Sequence, residues 1–271
     1  MFSITTRPIA KILGNLRFQH LLEKLSLNIE SLMGIGMGSV VESSGEQAVI
    51  FWLAQHNELE NQLCVFDVGA NKGQFLSMAQ AILSGLSVIV HAFEPSPATY
   101  LVLRQNTENF SHVVLNNFAL GEKAGSFALY SDAPGSGLAS LSKRRLDHFG
   151  LNFNHSEIVR VETLDQYCEL NQIHHIDLLK LDVEGHELDV LKGGRKMFAQ
   201  QAIDIVAFEF GGCNIDTRSY FQDFWYLFHE MGMGFIYRIT PTGYLYPIIK
   251  YMEIYERFRT TNFVAAKFQL D

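Results

Sequence analysis

The chain has 271 residues, 48% hydrophobic and 18% charged, with 21 Lys and Arg against 29 Asp and Glu for a formal charge of −8. That length suits one large domain or two small ones, the apolar fraction excludes a disordered or collagen-like chain, and the acidic balance excludes a bare basic surface for nucleic acid. The longest unbroken apolar run, Ala48–Ala54, is seven residues, against the roughly 20 that a membrane-spanning helix needs.

Residues 1–30 place Ile9, Ile12, Leu13, Leu16, Leu21, Leu22 and Leu25 at helical spacing, with Arg7, Lys11 and Arg17 ahead of the first acid, Glu23. The pattern predicts an amphipathic helix packed on the main domain, with a membrane-surface helix or transit peptide as the alternative. Gly34, Gly36 and Gly38 lack a preceding strand and read as a flexible connector rather than a phosphate cradle. Ser43 and Glu46 form a capping box that opens a helix running to about Asn57. From residue 63, strands at Leu63–Val68, Val88–Phe93, Val113–Asn117, Ile176–Val183 and Ile203–Phe210 alternate with helices at Gln74–Leu83, Ala98–Asn106, His186–Met197 and Tyr220–Met231. Phe235–Ile239 and Phe263–Phe268 close the chain as a hairpin-like edge around Pro241–Gly243. Such alternation predicts an α/β fold with a doubly wound, mostly parallel sheet and an antiparallel edge strand. Ser126–Tyr130 and Glu157–Val161 read as extra strands around a Gly-, Ser- and Asn-rich loop, Ser131–Ser156, which is either functional or disordered. The division expected is a helical extension over 1–60 and one domain over 61–271 with an inserted loop at 131–156. Cys64, Cys168 and Cys213 are far apart, show no zinc spacing, and with no apolar leader ahead of them fit a cytoplasmic protein.

In an open parallel sheet, ligands bind at the carboxyl ends of the strands. The first strand runs into Asp67-Val68-Gly69-Ala70-Asn71-Lys72-Gly73, where Gly69 and Gly73 permit a tight turn and leave room for a ligand. The second and third glycines of a dinucleotide fingerprint are replaced by Asn71 and Gln74, and no phosphate-binding P-loop occurs. What fits is a positively charged nucleoside without phosphate, such as S-adenosylmethionine. Asp67 is placed to meet its ammonium, directly or through water. Glu94, at the end of the second strand, is placed to accept from both ribose hydroxyls. Asn117, with backbone N–H groups of Phe118 or Ala119, is placed at the adenine edge.

Taken together, Asp67–Phe75, Phe93-Glu94-Pro95, Asn117–Leu120 and Leu179-Lys180-Leu181-Asp182-Val183-Glu184-Gly185-His186-Glu187 resemble the FkbM-type methyltransferases over roughly residues 61–210. The resemblance implies a class I, Rossmann-like S-adenosylmethionine-dependent fold and methyl transfer to oxygen, on a hydroxyl of a sugar, glycan or natural product. The alternatives are an N-methyltransferase or other small-molecule methyltransferase, and a non-catalytic module that only binds the cofactor.

An alcohol is a poor nucleophile at neutral pH, so a general base is expected. His186 titrates nearest neutrality and is the first candidate, oriented by Asp182 or Glu184. A second route places Mg²⁺ on Asp182 and Glu184, with Glu209, to lower the acceptor's pKa. Glu209, flanked by apolar residues, needs a substrate group, an Arg or a backbone N–H as partner. Early-helix Glu187 suits the helix dipole. Lys143-Arg144-Arg145 reads as solvated surface or as a contact for an anionic acceptor.

Overall fold

The computed structural model describes residues 13–38, 44–56 and 62–270. In chain order the elements are α1 (Leu16–Leu32), α2 (Gln47–His56), β1 (Leu63–Val68), α3 (Gln74–Ile82), β2 (Val88–Phe93), α4 (Pro97–Asn106), β3 (Val113–Asn116), β4 (Ala119–Leu120), β5 (Gly125–Ser131), β6 (His155–Glu162), α5 (Leu164–Leu170), β7 (Ile176–Leu181), α6 (Glu187–Gly193), α7 (Arg195–Ala199), β8 (Ile203–Phe210), α8 (Cys213–Thr217), α9 (Phe221–Glu230), β9 (Phe235–Ile239), β10 (Leu245–Ile248) and β11 (Thr261–Ala266).

Eight strands form one sheet in the order β10-β9-β11-β8-β7-β1-β2-β3. β3, β2, β1, β7 and β8 are parallel, and β11, β9 and β10 extend the sheet antiparallel. This is the α/β doubly wound arrangement. The parallel strands are near-continuous apolar runs because both faces are covered. On one face Phe208 and Phe210 meet the α9 aromatics Phe221, Phe224 and Phe228. On the other, Val49, Ile50 and Leu53 of α2 pack with Phe75, Leu76 and Leu103. Thus α2 contributes to the core of the sheet although it precedes β1.

The chain builds outward through β1, β2 and β3, then crosses back to β7 and β8 on the other side of β1. The crevice above the carboxyl ends of β1 and β7 is therefore the switch point of the sheet, where the fold leaves space for a ligand. A second sheet, β4-β6-β5, stands beside it, and the 131–156 segment joins β5 to β6.

Several expectations need correction. α1 buries none of its residues; Leu16, Leu25, Ile29 and Leu32 are all exposed, so it is not packed along the domain but tied at one end, where Glu30 pairs with Arg257 and Arg259. Ile9, Ile12 and the capping residue Ser43 lie outside the described residues. Gly34 is no loose connector: a Cβ there would stand 2.3 Å from the Ile239 carbonyl oxygen. The helix predicted over His186–Met197 is broken into α6 and α7 at Gly193–Gly194, where the backbone of Gly121 comes too close for a side chain at Gly193. The turn at Pro241–Gly243 leads to β10 and not to β11, which lies between β8 and β9. β10 contains Pro247, which has no N–H to donate and so suits the edge position it occupies. Among the described residues no helix is long and apolar enough to cross a membrane, and the three cysteines are free.

Candidate active site

A cleft opens at the switch point, where open α/β sheets bind their ligands. Gly69, Asn71, Glu94, Ala119, Asp182, Glu184 and His186 line it, as do Ser136, Gly137, Ala139, Ser140 and Leu141 of the 131–156 segment. The inserted segment is thus an ordered wall of the cleft. Ser140 Oγ donates to the Glu184 carbonyl at 2.8 Å, Ser142 Oγ lies 3.0 Å from His186 Nε2, and Arg144 pairs with Glu184 and, at 3.5 Å, with Asp216. Of the basic triplet, Arg144 is turned inward and spent on these acids, while the Arg145 side chain is 88% exposed.

Glu94 stands at the end of β2, buried in the cleft wall. Its carboxylate accepts from the backbone N–H of Asn71 at 3.0 Å and of Ser96 at 2.9 Å. Burial pushes its carboxyl up to about 7 against these two hydrogen bonds. Asn71 adopts φ +48°, a left-handed conformation that Asn tolerates, and its Oδ1 is buried with no hydrogen-bond partner. Gly137 packs over it; a Cβ at 137 would stand 2.9 Å from Asn71 Nδ2.

Other expected contacts fall elsewhere. The space beside Gly69 (φ +86°) is filled by protein, since a Cβ there would stand 1.8 Å from the Asp182 carbonyl oxygen. This glycine lets the β1 and β7 ends approach, and its backbone lines the cleft. Gly73 caps α3 against Leu103 and Thr107. Neither Gly73 nor Ala70 lines the cleft; the Ala70 N–H donates to the Phe93 carbonyl. Asn117 Nδ2 donates to the carbonyls of Glu94 and Pro95, bracing the turn after β2. Phe118 is buried among Phe93 and Tyr167 under the guanidinium of Arg160. Only Ala119 of that trio reaches the cleft.

Asp67 is fully buried and faces Lys180, not the cleft. Lys180, itself 4% exposed, places Nζ 3.5 Å from Asp67 and 3.3 Å from Asp182. Register explains the pair: Asp67 and Lys180 are direct neighbours across the β1–β7 ladder. Burial works against the Lys180 charge, but Asp182, Asp67 and Glu46 outweigh it and hold its pKa above the ordinary lysine value. The sequence signal for Lys180 was a cation inside an apolar strand, two residues from Asp182 on the same strand face. Glu46, read as a capping residue with Ser43, also brings a carboxylate into the field of Lys180.

Asp182 and Glu184 do not orient His186. Asp182 is held by Lys180 and Glu184 by Arg144. His186 Nδ1 instead lies 2.7 Å from Asp189 Oδ2, one helical turn on. The carboxylate can only accept, so Nδ1 carries a proton, and in the neutral ring Nε2 is the acceptor that faces the Ser142 hydroxyl. The three-residue spacing on α6 was the signal that marked Asp189. Glu187, fully buried, accepts from the N–H groups of Val183 and Gly185 and shapes the turn before His186.

Glu94, Asp182 and Glu184 give the cleft an acidic lining, with Glu46 and Glu209 outside it but in its field. Burial, then Asp182, raises Glu184 to about 8 despite Arg144, and burial raises Glu46 to about 7. Glu209 is raised by burial and by Asp182, Glu184, Glu187 and Glu46. It makes no hydrogen bond or ion pair among the described residues, so neither an Arg nor a backbone N–H partners it. Such a set favours a cation with hydroxyl groups over a phosphate, and the orphaned Asn71 oxygen adds an acceptor. Asp182, Glu184 and Glu209 do not form a metal-ligand group. Among the described residues the one such group is His175, Asp177 and Asp204, at the opposite, amino ends of β7 and β8.

These raised carboxyls set a pH dependence. The folded state binds more protons than the unfolded chain between the ordinary carboxyl value of 4.5 and about 8, so stability falls as pH rises through that window. His175, lifted to about 9 by hydrogen bonds to Asp177 and Asp204, has the same sign above 6.5. His91, kept neutral by burial with its pKa lowered to about 4, opposes it only below 6.5. The thermal midpoint of the unliganded protein is expected to fall steadily from pH 6.5 to 8. Calorimetry across that range checks this, and a flat or rising profile contradicts it.

The family model of the Methyltransferase FkbM domain matches residues 67–235, from the last turn of β1 to the start of β9. The chain belongs to this family. The FkbM-family chain is 29% identical over 166 residues to hexuronic acid methyltransferase AglP of Haloferax volcanii, covering 61% of this chain and 62% of that protein. It is 35% identical over 155 residues to 31-O-demethyl-FK506 methyltransferase FkbM of Streptomyces tacrolimicus, covering 48% and 58%. The chain thus spans about six-tenths of the length of these curated relatives. Among solved structures it is similar to methyltransferase FkbM from Methylobacillus flagellatus, at 14% identity and a TM-score of 0.43, covering 89% of this chain and 60% of that one.

Proposed function

We propose that this protein is an S-adenosylmethionine-dependent O-methyltransferase that acts on a hydroxyl of a sugar, glycan or similarly polar small molecule. The observation that carries the reading is His186. It is tied to Asp189, presents Nε2 to a hydroxyl, and stands on the wall shared by the cleft and a broad outer groove. The groove is lined by Asp216, Arg218, Ser219, Asp223, Tyr226 and Glu230 among others, a mixed polar surface suited to a polyhydroxylated acceptor. The names of two relatives, for a hexuronic acid and for 31-O-demethyl-FK506, agree with an oxygen acceptor.

In this reading Glu94 holds the ribose hydroxyls, and Asn71 Oδ1 with the acidic rim receives the cationic end of the cofactor. When bound, S-adenosylmethionine would supply a methyl group activated by its sulfonium. His186 accepts the acceptor's proton at Nε2 as the oxygen becomes nucleophilic. Asp189 fixes the tautomer and stabilises the charged ring. The 131–156 segment walls one side of the cleft. The Ser142 hydroxyl marks the position that the acceptor hydroxyl takes.

Titration calorimetry with S-adenosylmethionine and with its demethylated product tests the cofactor. Glu94→Ala is expected to weaken binding by about 1–3 kcal/mol, the scale of a lost charged hydrogen bond. Unchanged affinity removes the ribose assignment, and no affinity for either compound removes the whole reading. A panel of sugar acids, glycans and macrocyclic alcohols, followed by mass detection of a gain of one CH₂ at oxygen, tests the acceptor. Methylation confined to amines selects the N-methyltransferase alternative.

A further inference from the structure

A second cavity, of about 150 Å³, lies on the face of the β11-β9-β10 side of the sheet. Its walls are Met33 and Ile35, which follow α1, with Met252, Ile254 and Phe263. Into this apolar surround projects Arg238 of β9, only 5% exposed. Its Nε is buried with no hydrogen-bond partner, and no carboxylate pairs with it among the described residues. The charged side chain that acts on it is Arg257, a like charge, which is itself held by Glu30. Tyr246 lies 4.8 Å from the guanidinium carbon to ring centroid. That contact attracts the cation but supplies no acceptor for its five donors.

A guanidinium whose Nε is buried without an acceptor, and which faces the cavity, is a costly arrangement that a ligand would relieve. A small free anion would satisfy the Arg and leave the methionine and isoleucine walls unfilled. A neutral apolar molecule would fill the walls and leave the Arg unpaired. We propose that this cavity binds an amphiphilic oxyanion, with a carboxylate or phosphate monoester forked on Arg238 and an apolar chain laid along Met33, Ile35, Met252 and Phe263. The planar fork of Arg matches both head groups. The site is separate from the cleft at the switch point, and its ligand is neither the methyl donor nor a polar acceptor.

Binding of octanoate, octyl phosphate, inorganic phosphate and octanol to the full chain, measured by calorimetry, tests the proposal. Saturable binding of octanoate or octyl phosphate is expected, and the tighter of the two identifies the head group. Arg238→Gln should weaken it about tenfold or more, the scale of a lost charge-assisted hydrogen bond. Met252→Trp, which fills the cavity and keeps the cation, should do the same. S-adenosylmethionine affinity in each variant reports that the cleft and fold are intact, and the cavity-filling variant stands alone if Arg238→Gln does not fold. The proposal is overturned if neither amphiphile binds, if both variants bind them as the wild type does, or if octanol or inorganic phosphate binds as tightly.

Discussion

Replacing Lys180 with Met is expected to destabilise the protein by about 3–5 kcal/mol, the scale of removing one partner of a buried ion pair. The side chains have similar length, so little packing is lost and the effect isolates the charge. Asp67 is fully buried, and Lys180 is the cation that faces it. Without Lys180 it must stay charged in an apolar surround or take up a proton, and either course costs free energy. Asp182 and Glu46 lose the same cation. For a chain of this size the loss corresponds to a fall in thermal midpoint of roughly 10 °C. The sign with pH follows from Asp67, whose carboxyl is raised by burial: the deficit should be larger at pH 8 than under mildly acidic conditions, where protonation relieves it. Adding Asp67→Asn should recover part of the stability, because it removes the unpaired charge. Urea melts of the single and double variants measure this, and a loss below about 1 kcal/mol for Lys180→Met would show that the pair behaves as an exposed one.

The second large effect belongs to His186. His186→Ala is expected to lower turnover by about 10²–10⁴-fold, the usual contribution of a positioned general base, with cofactor affinity little changed. Asp189→Asn should lower turnover as well, since an amide can donate to Nδ1 and so favour the tautomer that carries its proton on Nε2. Single-turnover rates with a responsive acceptor separate this from binding. Retained turnover in His186→Ala together with loss of activity on adding a chelator would move the chemistry to a metal route. Asp182 and Glu184 would then have to leave Lys180 and Arg144 to serve as ligands.

The positions that the sequence made legible are those whose role depends on local order. Glu94 follows an apolar strand, and in a parallel sheet a strand end faces the ligand wherever the strand sits. Gly69 was recognisable as a turn residue, but the atom that fills its missing side chain, the Asp182 carbonyl, comes from a strand more than a hundred residues away. Asp189 was within reach of sequence reasoning, because three residues on a helix bring it to His186. The Lys180–Asp67 pair was not, since it needed the β1–β7 register. β10 was hidden by Pro247, a residue that argues against a central strand and is tolerated only at an edge.

By itself the sequence determined the alternation of strands and helices and the carboxyl-end location of the cleft. These follow from periodicity and backbone conformation, which act over a few residues. Only the tertiary structure decided which charge meets which: Lys180 with Asp67 and Glu46, Arg144 with Glu184, and Arg238 with no carboxylate among the described residues. Charge pairing depends on separations of a few ångströms between segments distant in the chain, and those separations are set by strand order, register and close packing rather than by the order of residues.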